Sequence, residues 1–337
     1  MSDDRPDVRR ATARRLAAAA VVLLAVAAVV GKTRAPAAQP DTRIPWIGYL
    51  ANEPTPDSAP IVRDALRERG WVEGQSVKIW YRYAQGKPDF YPQHADDLVR
   101  LNVNAIVAVG PEAIAAARRA TKTIPVVMVS LDDPAELVRE SRGPTSNLTG
   151  ITTFAPEAPV RRVELLRQVV PSLARAALLW SADSTSVTAD LQATEAAATA
   201  RGVELTKVEI TAETDVRQAL AKIEKLHTQG LIVLADAVTL AHRQRLATFA
   251  SRAKLPAVFP SRDFADAGGL LAYGANWTEV FRQTAALVDQ ILRGVKPADL
   301  GIRRAARFEL VVNLRAARAI PVVIPSSLLQ RADRVIE

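Results

Sequence analysis

Three aspartates in this sequence fall where a carboxylate could hold a positively charged group. Asp133, Asp183 and Asp236 each follow a short apolar run and precede a helical pattern, as do Asn52-Glu53 and Ser261-Arg262-Asp263. A carboxylate at such a place can accept from a ligand ammonium. It can equally act as an N-cap, taking the first free N–H groups of its own helix. Gly110-Pro111-Glu112 offers the opposite chemistry. Proline in a first helical turn leaves backbone N–H groups and the positive end of a helix dipole for a carboxylate, for water or for Glu112 itself. Trp180 and Tyr273, at the ends of two further apolar runs, can sandwich an apolar or aromatic ligand part or simply pack. Asn276 follows Tyr273 and adds an amide.

No catalytic set accompanies these residues. There is no nucleophile elbow, and His94, His227 and His242 stand in separate helical patterns without metal-ligand spacing. The absence of cysteine excludes thiolate zinc, iron–sulfur clusters, disulfides and thiol catalysis. A binding protein without metal or cofactor is expected, rather than an enzyme.

The elements that must position these residues alternate between two patterns. "IPWIGYLAN" reads as a buried strand, and "PIVRDALRERG" as a helix closed by Gly70. "NAIVAVG" and "IPVVMVS" are continuous apolar runs, typical of parallel strands covered on both faces, with the helix "PEAIAAARRAT" between them. After "NLTGITTF", a strand interrupted by Gly150, the alternation restarts with "RAALLWS", "VELTKVEI", "GLIVLADA" and "LPAVFPS". The expected fold class is α/β, with two doubly wound parallel sheets. The first lobe spans 44–150 with a return over about 275–305, the second spans 151–274, and 306–337 fits either. Ligands of open α/β sheets sit beyond the carboxyl ends of the strands, where the candidate residues fall. "AGGLLAYGANW" then reads as a strand crossing between lobes. Gly268, Gly269 and Gly274 let it bend, and Tyr273 and Asn276 face the ligand; the alternative is a tight turn with a core tyrosine.

Charge bears on partners. The net charge of +8 over 337 residues is concentrated at the start, where residues 1–40 carry seven Lys/Arg against three Asp. The remainder holds 37 basic and 33 acidic residues without a basic run, so no nucleic-acid partner is expected. Residues 1–37 combine a basic segment, the apolar run Leu16 to Val30 and Ala35-Pro36-Ala37, the three parts of a secretory signal peptide. Cleavage and a periplasmic mature protein are expected, by either the general or the twin-arginine route. Lys32 and Arg34 speak for the alternative, an uncleaved anchor.

Longer stretches carry a family likeness. "ALRERGWVEGQSVKIWYRYAQGKPDFYPQHADDLVRLNVNAIVAVG", "TKTIPVVMVSLDDP", "RRVELLRQVVPSLARAALLW", "FADAGGLLAYGAN", "LRGVKPADLGIRRAARFELVVNLRAARA" and "IPSSLLQRADRVIE" occur in this order. They resemble the ABC-transporter substrate-binding proteins related to tryptophan/tyrosine-binding receptors, from Ile44 to Glu337. The resemblance implies the type I periplasmic binding protein fold, in which two Rossmann-like lobes are joined by crossover hinge strands. It also implies capture of a small solute such as an amino acid, and delivery to an ABC permease with its ATPase subunit. A monomer is expected, meeting the membrane only through that transporter or an uncleaved anchor. Ser181-Ala182 stands where the family often has Asn-Pro, and Leu234-Ala235-Asp236 where it often has Leu-Pro-Asp, which leaves the ligand open. The competing functions are a ligand sensor docking on a membrane signalling partner and an exported α/β enzyme.

Overall fold

Apolar runs become strands and amphipathic runs become helices from Trp46 onward in the computed structural model. It describes residues 44–54, 58–130, 135–141, 143, 145–182, 187–211 and 215–337. The first series is β1 (Trp46–Ala51), α1 (Ala59–Glu68), β2 (Lys78–Tyr83), α2 (Phe90–Arg100), β3 (Ala105–Val109), α3 (Pro111–Ala120), β4 (Val126–Ser130), α4 (Ala135–Ser141) and β5 (Leu148–Thr152). The second begins with α5 (Glu157–Val169), β6 (Arg175–Ser181), α6 (Thr188–Thr199), β7 (Glu204–Ile210), α7 (Asp215–Lys225) and β8 (Gly230–Val233). It continues through α8 (Ala237–Ala241), α9 (Arg243–Arg252), β9 (Ala257–Phe259), α10 (Arg262–Asp266) and β10 (Leu271–Ala275). The chain ends with α11 (Trp277–Leu292), α12 (Pro297–Leu300), β11 (Ile302–Arg304), β12 (Phe308–Asn313), α13 (Leu314–Ala319), α14 (Ser326–Leu329) and β13 (Arg334–Ile336).

These strands form two sheets. The six-stranded sheet has the order β11-β5-β4-β3-β1-β2 and is parallel throughout. The seven-stranded sheet has the order β13-β12-β10-β9-β8-β6-β7, parallel except where β12 runs against β10. Both faces of each sheet are covered, so the strands carry apolar residues at successive positions rather than at alternate ones. In the first sheet, Ile47, Tyr49, Val107 and Val127 pack with α1 and α11, while Leu50, Ile106 and Met128 pack with α2 and α3. In the second, Leu178, Ile232 and Val258 lie under α5, and Leu179, Leu231 and Phe259 lie under α7 and α9.

The chain passes between the sheets three times: through residues 153–156 into α5, through Ala275 and Asn276 into α11, and through residues 305–307 into β12. Helix α5 packs on β8, β9 and β10, whereas α11 packs on α1, β3, β4 and β5. The crossings are bonded side by side. Ala305 N donates to Thr152 O at 2.7 Å, and Asn276 N donates to Arg307 O at 3.0 Å. The carboxyl end of β5 in one sheet and of β10 in the other therefore meet at the same hinge. Because β4 and β11 run parallel to β5, and β9 runs parallel to β10, the carboxyl ends of the parallel strands of both sheets converge there.

The glycines of "AGGLLAYGANW" differ from expectation. Gly268 has φ 101° and turns the chain after α10. Gly274 is needed for closeness instead of a bend: a Cβ there would lie 1.8 Å from Pro260 O on the neighbouring segment.

Candidate functional site

At the end of β3, Gly110 takes φ 92° and ψ 160° as the N-cap residue of α3, with Pro111 in the first turn. That backbone favours glycine. As a glycine, the N-cap residue supplies no capping side chain, so the first N–H groups of the helix carry the positive end of its dipole without one. Asn52, after β1, has a structural bond already: its Oδ1 accepts from Gly86 N at 2.8 Å. It pins the turn that follows β2.

Asp236 is buried and fully engaged. Its Oδ1 accepts from Thr239 N at 2.7 Å, its Oδ2 accepts from Ser181 N at 3.2 Å, and Thr239 Oγ1 accepts in return from Asp236 N. This is a capping box on α8 that also ties the end of β6 to the end of β8. Burial pushes its carboxyl above the ordinary range, against the pull of these N–H donors. Of the two chemistries open to Asp236 in the sequence, the geometry displays capping.

Ser261 is buried at the start of α10, where its hydroxyl donates to Asp263 Oδ2 at 3.0 Å. Asn276 caps α11 by accepting from Glu279 N at 2.9 Å, and its Nδ2 donates to Glu309 Oε2 at 3.1 Å. Trp180 and Tyr273 are half-buried and pack against one apolar cluster under α5. The Tyr273 ring lies 6.1 Å from that of Phe308, and burial raises its phenol pKa. The indole Nε1 of Trp180 is buried with no hydrogen-bond partner among the described residues. Asp133 and Asp183 lie outside the described residues.

Two charged residues escaped the sequence reading. Glu309 sits on β12 beside the hinge, buried, with its carboxyl raised by desolvation. Arg162, on α5, is buried and holds both oxygens of Asp190 at 3.0 Å through Nη2, with Nη1 unpartnered among the described residues. The signal for each was a charge inside an apolar pattern, "FELVVN" and "VRRVELL". Among the described residues no group of three or more His, Asp or Glu is disposed to hold a metal. The arrangement supplies helix-terminal N–H groups from the first sheet, and an acid, an amide and aromatic surface from the second.

Two Rossmann-like lobes whose strand ends converge on three crossings define a two-lobed binding protein of the periplasmic type. Residues 59–336 match the family model described as ABC transporter substrate binding protein, and the chain belongs to that family. A tyrosine-binding protein of Clostridioides difficile is 22% identical over 264 residues, covering 76% of this chain and 74% of the relative. A conserved domain protein of Vibrio cholerae superposes with a TM-score of 0.80 at 24% identity, covering 87% of this chain and 100% of the other. An ABC domain from Streptococcus pneumoniae in complex with L-Trp gives 0.79 at 22% identity, with the same coverage.

Proposed function

We propose that this protein captures a small solute of the amino-acid class between its two lobes and hands it, unaltered, to an ABC permease and its ATPase subunit. The observation that carries this reading is the meeting of both sheets' carboxyl ends at one three-stranded hinge. Strand ends are where open α/β sheets bind ligands, and hinged lobes close when a ligand contacts both. The solute class draws on the tyrosine and L-Trp named for two relatives. It draws also on the uncapped start of α3, suited to a carboxylate, and on Trp180 and Tyr273. The signal-like pattern of residues 1–37 supports a location outside the cytoplasm.

The test joins binding to shape. A thermal-shift screen of the twenty amino acids should find a stabilising ligand, and X-ray scattering should show a smaller radius of gyration when it is added. Mass spectrometry should then recover that ligand unchanged. A chemically altered ligand would favour an enzyme, and no response to any amino acid would remove this solute class.

A further inference from the structure

Two buried acids of the second sheet differ in what their oxygens do. Asp236 uses both within the capping box and the bond to β6. Glu309 is 8% exposed and accepts one hydrogen bond, at Oε2 from Asn276. No donor among the described residues reaches its Oε1. An ionised carboxylate offers about four acceptor sites, so most of this one's capacity is unused.

The strand beside it is tightly packed against the β9 side. Glu309 stands opposite Gly274 in the β10–β12 pair. A side chain on Gly274 would lie 1.8 Å from Pro260 O and 3.6 Å from Ser261 Cα. The backbone at Pro260 thus fills the place a side chain on Gly274 would take, and Glu309 and Asn276 stand bonded at the hinge end of the second sheet. The charges that face Glu309 are Arg262 on α10, Arg307 on the third crossing, and Asp333 and Arg334 at β13. Each arginine is held by another acid: Arg307 by Asp333 at 2.8 Å, Arg262 by Asp266 at 3.1 Å, and Arg334 by Asp266 at 3.2 Å. Glu309 therefore has a carboxylate mostly but not wholly withdrawn from water, one amide donor and no bonded cation. Burial raises its pKa accordingly. An ammonium group would complete this arrangement, since it brings N–H donors and the missing positive charge.

We infer that Glu309 accepts the ammonium group of the solute, with Asn276 fixing the orientation of the carboxylate. The inference rests on the proposed solute-binding reading and names the residue that recognises the amino group. The carboxylate end of the solute is left to donors elsewhere, such as the start of α3.

The test uses L-tryptophan and indole-3-propionate, the same molecule without its ammonium, titrated calorimetrically into the full chain. Wild type should bind L-tryptophan at least about tenfold more tightly than the deamino acid. Glu309→Gln should lose about tenfold or more for L-tryptophan, as expected for a lost charge-assisted bond, and stay within about twofold for indole-3-propionate. Acidification that protonates Glu309 should weaken L-tryptophan binding in wild type and leave the variant unaffected. Equal losses for both ligands, or full L-tryptophan affinity in Glu309→Gln, would overturn the inference while leaving the solute-binding reading in place. If the variant does not fold, the wild-type pH profile decides: a flat profile for L-tryptophan overturns the inference. Binding of neither ligand by wild type overturns it as well, and only then does the amino-acid reading itself need the wider screen.

Discussion

Asn276 donates from Nδ2 to Glu309 Oε2 at 3.1 Å while its Oδ1 accepts from Glu279 N at 2.9 Å. One side chain thus caps a helix that packs on the first sheet and orients an acid on a strand of the second. Asn276→Ala removes the cap, worth about 1 kcal/mol, and leaves a buried carboxylate without its donor, which costs a further ~1–3 kcal/mol. A clear fall in the urea midpoint is expected. Asn276→Asp keeps a capping oxygen but sets a second negative charge against Glu309. Its loss should be larger at neutral pH than in mild acid, where protonation relieves the repulsion; equal losses at both would detach Glu309 from Asn276 energetically.

Asp236 gives a second, separate test. Asp236→Ala strands the N–H groups of Thr239 and Ser181, both in buried surroundings. At ~1–3 kcal/mol for each of the two orphaned donors, the variant should lose roughly 2–6 kcal/mol in equilibrium unfolding. Retention of wild-type stability with a loss of ligand affinity would show that Asp236 serves the solute and not the frame.

The contrast between these two acids shows what the sequence could carry. Asp236, as cap or as ligand group, has one signature, because both roles ask for an acid between a strand and a helix. The decisive fact, Ser181 N at its second oxygen, comes from a residue 55 positions away in the chain. Glu309 was visible as a charge within an apolar strand, but Asn276 lies 33 positions away. Strand and helix types were legible, since "NAIVAVG" and "IPVVMVS" have the continuous apolar character of doubly covered parallel strands. The direction of β12 was not. "FELVVN" would read the same running either way, and its antiparallel pairing follows from entry at the hinge.

The glycines near the hinge should respond unequally to alanine. Gly274→Ala places a Cβ 1.8 Å from Pro260 O, a backbone atom that moves only if β9 and β10 separate. A loss of ~3 kcal/mol or more is expected, at the upper end of overpacking costs. A Cβ on Gly268 meets nothing within 4 Å, so Gly268→Ala bears only the strain of its φ of 101°, about 1–2 kcal/mol. Thermal denaturation of the two variants checks the order. Comparable losses would mean that the strands yield easily at Pro260, and that the hinge end of the second sheet is softer than its packing indicates.

The pH dependence of folding should divide the acids around β12 into two kinds. Burial is the main influence on Glu309 and raises its carboxyl, so the ionised form is disfavoured in the folded protein. Its contribution to stability is therefore fully present below the ordinary carboxylate range and is lost as pH rises through the raised value. Burial acts on Asp333 in the same direction. There, however, the hydrogen bonds from Arg307 and Leu310 N outweigh it and hold the carboxyl below its usual range. Asp333 contributes above the ordinary carboxylate range and is lost as pH falls through the lowered value. Glu309→Gln should thus raise the ligand-free melting temperature at neutral pH, by up to a few degrees, with the gain vanishing in acid. Asp333→Asn should lower it at neutral pH, with the deficit shrinking in acid. Melting curves from pH 3 to pH 8 for both variants test the pair. A Glu309→Gln gain that persists at the acid end would mean that the carboxylate is not what the fold disfavours there.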